Sequence, residues 1–329
     1  MAGLLRRVAE TAAVGRLVGA VERLDARRPN LLRVLTYHRV DDPVAFGAQA
    51  AFLARSCATV SAADVLASLG GGPPLPPRAV LLTFDDAYRS FATDAWPVLR
   101  SLGIPALLFV PTAYPDSERP SFWWDRVDRT LAQAPRGTSV ETFAGCLSTE
   151  SAPARSASLR TLKLRLKDLP HRELVAEVER LCTRLGVPPG RHDVLGWDEL
   201  RRLAREGVTL GAHTRTHPVL TRVPPVEAES EIAGSLADLE REIGPGPRLL
   251  AYPDGRHDDG VVGAAARAGV ELAVTTRRGT NDLRAADRLR LRRIHVEASD
   301  PRPVLRARLL YSSVYLNRLR PLFDPQAVT

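Results

Sequence analysis

The chain has 329 residues, 44% hydrophobic and 26% charged, which is ordinary globular usage and excludes a wholly disordered, collagenous or coiled-coil protein. A core of this size needs no disulfide or metal staple. The net charge of +8 raises nucleic acid or an anionic membrane as partners, but Lys163 and Lys167 are the only lysines. So strong an arginine skew, with abundant Ala, Gly and Pro, reads as coding bias plus a generic basic surface. Cys57, Cys146 and Cys182 are scattered, form no C-x-x-C pair and read as buried reduced thiols, not a disulfide or zinc framework.

In chain order, Leu4, Leu5, Val8, Val14, Leu17, Val18, Val21 and Leu24 recur between arginines at helical spacing. Residues 1–30 are therefore expected to form a basic amphipathic helix, packed on the fold or lying on a membrane surface. Glu10 and Arg16 break any signal-peptide apolar core, and no run approaches the length of a membrane span. The expected location is the cytoplasm, peripheral to the inner membrane face.

Apolar runs follow at Leu32–Tyr37, Ala79–Phe84, Ala106–Val110, Val208–Ala212, Leu249–Tyr252, Leu272–Thr275 and Leu289–Val296. Helical patterns cover Tyr88–Ser101, Trp197–Glu206, Val226–Glu242 and Val261–Ala268. This alternation predicts a parallel sheet covered by helices, either doubly wound or closed into a barrel. The Gly/Pro-rich stretch 70–77 is a connector. Residues 115–195 interrupt the rhythm and read as an insertion with two helices. Residues 301–329 form a second basic amphipathic extension, running from Val304 to Phe323.

Four of the strands end in polar clusters, and catalytic groups collect at the C-terminal ends of strands in such folds. The first ends in Thr83-Phe84-Asp85-Asp86; two adjacent carboxylates repel and call for a cation or a hydrogen-bond network. By itself the pair also reads as a turn that caps the next helix. The second ends in His213-Thr214-Arg215-Thr216-His217-Pro218, where imidazoles four apart can share one metal, or are two surface histidines. The third is Arg248 to Gly255, closing on Tyr252-Pro253-Asp254-Gly255; alone this is only a turn. The fourth, Leu291 to His295, delivers one histidine.

In this order the four segments resemble the motifs of the polysaccharide deacetylase family, the NodB-homology group or carbohydrate esterase family 4. Leu35-Thr36-Tyr37-His38-Arg39-Val40 and Phe122-Trp123-Trp124-Asp125 are also similar to segments of bacterial members. The resemblance spans about residues 31–297, within a barrel domain expected over 31–300. It implies an α/β fold, a distorted (β/α) barrel of about seven strands, and one divalent cation, Zn²⁺ first, with Co²⁺, Ni²⁺ or Mn²⁺ as alternatives. By the same resemblance Asp86, His213 and His217 hold the metal, and water activated there attacks an N-acetyl carbonyl with Asp85 as base. The oxyanion is stabilised by the metal and a backbone N–H of the Pro253–Gly255 turn. His295 is expected to protonate the leaving amine and Arg248 to restrain Asp85. Two departures from the family pattern are Asp254, where a tyrosine is usual, and Ala87, where glycine is usual.

Expected substrate contacts are Tyr88, Trp123 and Trp124, whose rings suit the C–H face of a sugar, with Asp125, Tyr252, Pro253, Asp254 and His38. The tryptophans equally suit packing of the insertion. The expected activity is removal of N-acetyl groups from a glycan or lipid-linked sugar. Alternatives are a deformylase or other C–N amide hydrolase of the same fold, and a catalytically silent membrane-surface protein. No nucleic-acid-binding motif is present.

Overall fold

The computed structural model describes residues 29–188 and 190–311. The helix expected over residues 1–30 lies almost wholly outside these, as does the C-terminal extension beyond Tyr311. No described helix is long and apolar enough to cross a membrane.

Seven strands carry the fold: β1 (Leu31–Tyr37), β3 (Ala79–Phe84), β4 (Ala106–Val110), β7 (Thr209–Ala212), β8 (Leu249–Ala251), β9 (Leu272–Arg278) and β11 (Leu291–His295). Each is one of the seven apolar runs of the sequence. All neighbouring pairs are parallel, and β1 pairs with both β3 and β11. The sheet therefore closes into a seven-stranded barrel. Two short strands flank it: β2 (Ala58–Thr59) lies parallel to β3, and β10 (Asn281–Asp282) antiparallel to β1.

Period-two alternation divides the side chains of these strands between two layers. Leu32, Val34, Leu81, Leu107, Phe109, Leu249, Ala251, Val274 and Leu291 form one buried cluster, the barrel interior. Leu35, Tyr37, Leu82, Phe84, Leu108 and Val110 point outward against covering helices. Gly211 faces Phe109 across the β4–β7 pair, and a Cβ there would lie 2.7 Å from the Phe109 ring. Glycine lets that ring fill the narrow barrel.

The covering helices include α1 (Pro43–Ser56) and α2 (Ala62–Leu69), which the sequence reading did not single out. Asp42 caps the first, and Ser61 with Asp64 forms a capping box on the second. The Tyr88–Ser101 pattern becomes a π-helical turn at Phe91–Ala95 running into α3 (Trp96–Ser101). Between β4 and α7 (Trp197–Arg205), the chain adds α4 (Trp123–Gln133), the hairpin β5 (Ser139–Thr142) and β6 (Gly145–Ser148), α5 (Ala152–Leu166) and α6 (His171–Arg184). These share a core of their own built on Val127, Leu131, Leu162, Leu174 and Val178. α8 (Pro225–Ile243), α9 (Asp259–Arg267) and α10 (Arg302–Tyr311) complete the described chain. Of the three cysteines, all free, only Cys182 is buried, while Cys146 is exposed.

Candidate active site

Parallel strands share one C-terminal rim, and four of them deliver chemistry to it. Asp85 follows β3 on the interior parity of Leu81 and Thr83, and its N–H donates to Tyr37 O at 2.9 Å, extending the ladder by one residue. The chain then turns sharply: Asp86 and Ala87 take φ of 69° and 49°. The left-handed region costs a non-glycine residue about 1–2 kcal/mol, and such strain gathers at functional turns.

His213 extends β7 in the same way, its N–H donating to Val110 O at 2.8 Å. Its Nδ1 lies 2.7 Å from Ala251 O. A carbonyl only accepts, so Nδ1 carries the proton and Nε2 presents a lone pair. The loop returns through Thr214 and His217, both at φ 61°, with the His217 N–H donating to Thr214 Oγ1 at 3.1 Å. Glu231 of α8 accepts from the backbone N–H groups of Arg215 and Thr216, both at 2.8 Å, and from the Thr216 hydroxyl.

These turns bring three donors together. His213 Nε2 and His217 Nε2 are 3.1 Å apart, and Asp86 Oδ1 lies 3.5 and 3.4 Å from them. A tetrahedral ion with ligand bonds of about 2.0–2.2 Å spaces its ligand atoms roughly 3.3–3.6 Å apart. Asp86 Oδ1 is buried without a hydrogen-bond partner, a costly state unless a cation compensates it. Burial holds both imidazoles below their ordinary value, His217 the more so because His213 faces it, leaving them neutral and able to ligate. Burial, with Asp85 and Asp125 nearby, drives the Asp86 carboxyl well above its ordinary range. Among the described residues, this is the one group of three such side chains arranged to hold a metal ion.

Asp85 is as buried as Asp86 and in the opposite state. Burial alone would raise its pKa, but Arg293, with His213 and His38 adding to it, holds the carboxyl far below the usual range. The Arg293 guanidinium donates Nη1 to Oδ1 and Nη2 to Oδ2, both at 2.7 Å, and its Nε donates to Thr275 O. Bidentate pairing of this kind is the strongest form of charge-assisted bond.

The family profile described as polysaccharide deacetylase matches residues 72–273. The chain belongs to the polysaccharide deacetylase family. A stretch of 48 residues, 15% of this chain, is 48% identical to the poly-beta-1,6-N-acetyl-D-glucosamine N-deacetylase of Escherichia coli, of which it spans 7%. Among solved structures, the Streptococcus pyogenes deacetylase PplD in complex with acetate superposes with a TM-score of 0.58 at 19% identity, over 87% of this chain and 99% of that one. IcaB from Ammonifex degensii superposes with a TM-score of 0.56 at 18% identity, over 86% and 97%. At these identities the structural likeness is one of fold.

This polysaccharide deacetylase family member differs from the sequence reading in its arginine. Arg248 precedes β8 and so lies at the opposite rim of the barrel. There it pairs with Glu240 at 3.0 Å and donates to Ala268 O. Arg293, overlooked beside His295, is the restraining group. It shares the interior parity of Leu291 and is nearly inaccessible, 2% exposed. A charged residue two positions before a rim histidine, on the same strand face, was the available signal.

The expected substrate contacts also divide. Tyr252 is fully buried and donates its hydroxyl to Leu289 O at 3.0 Å, so it supports the turn and presents nothing to a ligand. Pro253 is buried as well. Asp254, at φ 55°, is paired with Lys167 and Arg256. Tyr88 is buried: its hydroxyl donates to Asp125 Oδ2 and accepts from Trp124 Nε1, while the Arg39 guanidinium covers its ring at 4.0 Å. Arg39 also donates to Asp125 at 2.9 Å, a link the sequence reading did not include. The tryptophans separate: Trp123 packs on the core of the segment between β4 and α7, whereas Trp124 stands edge-on to His217 at 4.7 Å. His38 reaches 4.0 Å from Asp85 Oδ2, and its ring is 5.7 Å from that of His295. His295 Nε2 pairs with Glu297 Oε1 at 2.6 Å.

Proposed function

We propose that the chain is a metal-dependent hydrolase that removes N-acetyl groups from an N-acetylated sugar of a glycan or glycolipid. One observation carries this reading: a compact Asp86–His213–His217 donor set lies beside a carboxylate, Asp85, that arginine keeps ionised. A divalent ion bound there would polarise the amide carbonyl and acidify a water molecule. The first proton moves to Asp85, whose carboxylate remains available because Arg293 neutralises it without donating a proton. The attack forms a tetrahedral carbon, and the N–H of Asp254 is the turn's remaining donor toward its oxyanion. Pro253 has no N–H, and that of Gly255 is already donated to Tyr252 O. Collapse breaks the C–N bond, and the amine leaves with a proton from His295, which Glu297 orients. His38 and Trp124 line the approach. Trp124 supplies the aromatic edge and Asp125 a hydroxyl acceptor next to it.

The E. coli relative is named for a β-1,6-linked N-acetylglucosamine polymer, which makes such oligomers the first substrates to try. The test is mass-spectrometric detection of acetyl loss across N-acetylglucosamine oligomers, lipid-linked sugars and formylated amines. Acetate release that chelation abolishes and added metal restores supports the reading. Release of formate alone would favour the amide-hydrolase alternative, and no hydrolysis of any panel member would sink both.

A further inference from the structure

The segment between β4 and α7 reaches the rim at two places. Besides Trp124 beside His217, its Lys167, the residue following α5, is ion-paired with Asp254. Arg256 adds a second cation to the same carboxylate at 3.2 Å, donates to Lys167 O at 3.0 Å, and pairs with Asp168 at 3.3 Å. The turn is gripped from the opposite side too. Thr276 of β9 donates its hydroxyl to Asp254 O at 3.0 Å. A Cβ on Gly255 would come within 2.2 Å of the Thr276 backbone nitrogen, so only glycine allows this approach. Three residues earlier, Ala251 O fixes the proton of His213. A strained peptide is thus held between barrel and inserted segment, immediately after the strand that orients a metal-ligand candidate.

We infer that Lys167 is a positioning residue: by holding the Asp254 side chain it fixes the left-handed turn and aims the Asp254 N–H at the reaction centre. This rests on the functional reading above. A donor aimed at developing charge acts chiefly in the transition state, so loosening it lowers kcat and leaves ground-state binding nearly untouched. The pair is partly exposed, at 31% and 21%, so its removal should hardly alter global stability. A side chain from outside the barrel would then share in setting the catalytic geometry, beside Arg256 and Thr276 at the rim.

The test compares wild type with Lys167→Met and Lys167→Arg in the full chain. Lys167→Met is expected to lower kcat about tenfold with KM within about twofold and the thermal midpoint within about 3 °C. Lys167→Arg should recover most of the loss. Hydrogen exchange of residues 252–258 should quicken in Lys167→Met and stay near wild type elsewhere, a readout that needs no turnover. Unchanged kcat, unchanged exchange, or a loss confined to KM would overturn the role. A wild-type chain releasing no acetate would sink the functional reading and this role together. An active wild type matched by Lys167→Met would sink this role alone.

Discussion

Asp85 and Asp86 are adjacent, equally buried at 2% exposure, and held in opposite electrostatic states. The Asp85 pocket contains its own counter-charge, a bidentate arginine from β11, on the far side of β1 from β3. The Asp86 pocket contains two neutral imidazoles and an oxygen with no hydrogen-bond donor. One pocket holds its own counter-charge; the other holds none, and burial there favours the uncharged carboxyl. The division follows from strand parity. Asp85 stays in the extended interior file that faces Arg293, while the left-handed turn at Asp86 swings the next carboxylate toward the loop after β7. Neighbours in sequence thereby acquire different surroundings: one carboxylate is held ionised by an arginine, the other stands with two imidazoles in a set that could hold a metal ion.

The largest expected effect comes from removing only the Asp85 charge. Asp85→Asn should lower turnover about 10²–10⁴-fold while metal content, measured by plasma mass spectrometry, stays at the wild-type stoichiometry. Loss of metal together with activity would mean that the two pockets are not separate.

Removing the counter-charge should come next. Arg293→Met leaves Asp85 buried and unpaired, and is expected to cost about 3–5 kcal/mol by urea unfolding. The pH dependence then separates the two proteins. The depressed folded-state pKa of Asp85 contributes stability that is present above its unfolded value of 3.8 and lost as pH falls through the folded one. In Arg293→Met that dependence should vanish or reverse, because the largest influence holding the carboxyl down is gone and burial is then opposed only by His213 and His38. A wild-type stability profile in the variant would exclude Arg293 as the restraint.

A smaller effect should mark the metal side. Glu231→Gln removes one of the acceptors that shape the loop from His213 to His217, so metal affinity should weaken about 10–100-fold. Competition with a chromogenic chelator measures this. Asp85 stays paired with Arg293, so the acid stability profile should keep its wild-type form.

Much of this was legible in the chain alone. The seven barrel strands are apolar runs bounded by turn residues, and each expected run became a strand. Asp85, Asp86, His213 and His217 stand at strand ends in segments short enough to be seen locally. What escaped notice depended on distant partners. Arg293 lies 208 positions from Asp85, and in sequence it is one arginine among many. Arg248 lay in a recognisable motif but at the wrong end of its strand. The hairpin β5–β6 is short and polar, with little periodicity to reveal it. Tyr88 and Tyr252 read as cleft aromatics, yet their hydroxyls are spent on internal bonds.

The sequence by itself determined the strands, their parity and the identity of the rim side chains, because apolar alternation and strand-end polarity are local properties. Tertiary structure alone decided which charge neutralises which carboxylate and which tryptophan reaches the rim. It also brought Lys167 to Asp254. The physical reason is that Coulomb energy and desolvation depend on separation in space. Barrel closure, pairing β1 with both β3 and β11, sets those separations.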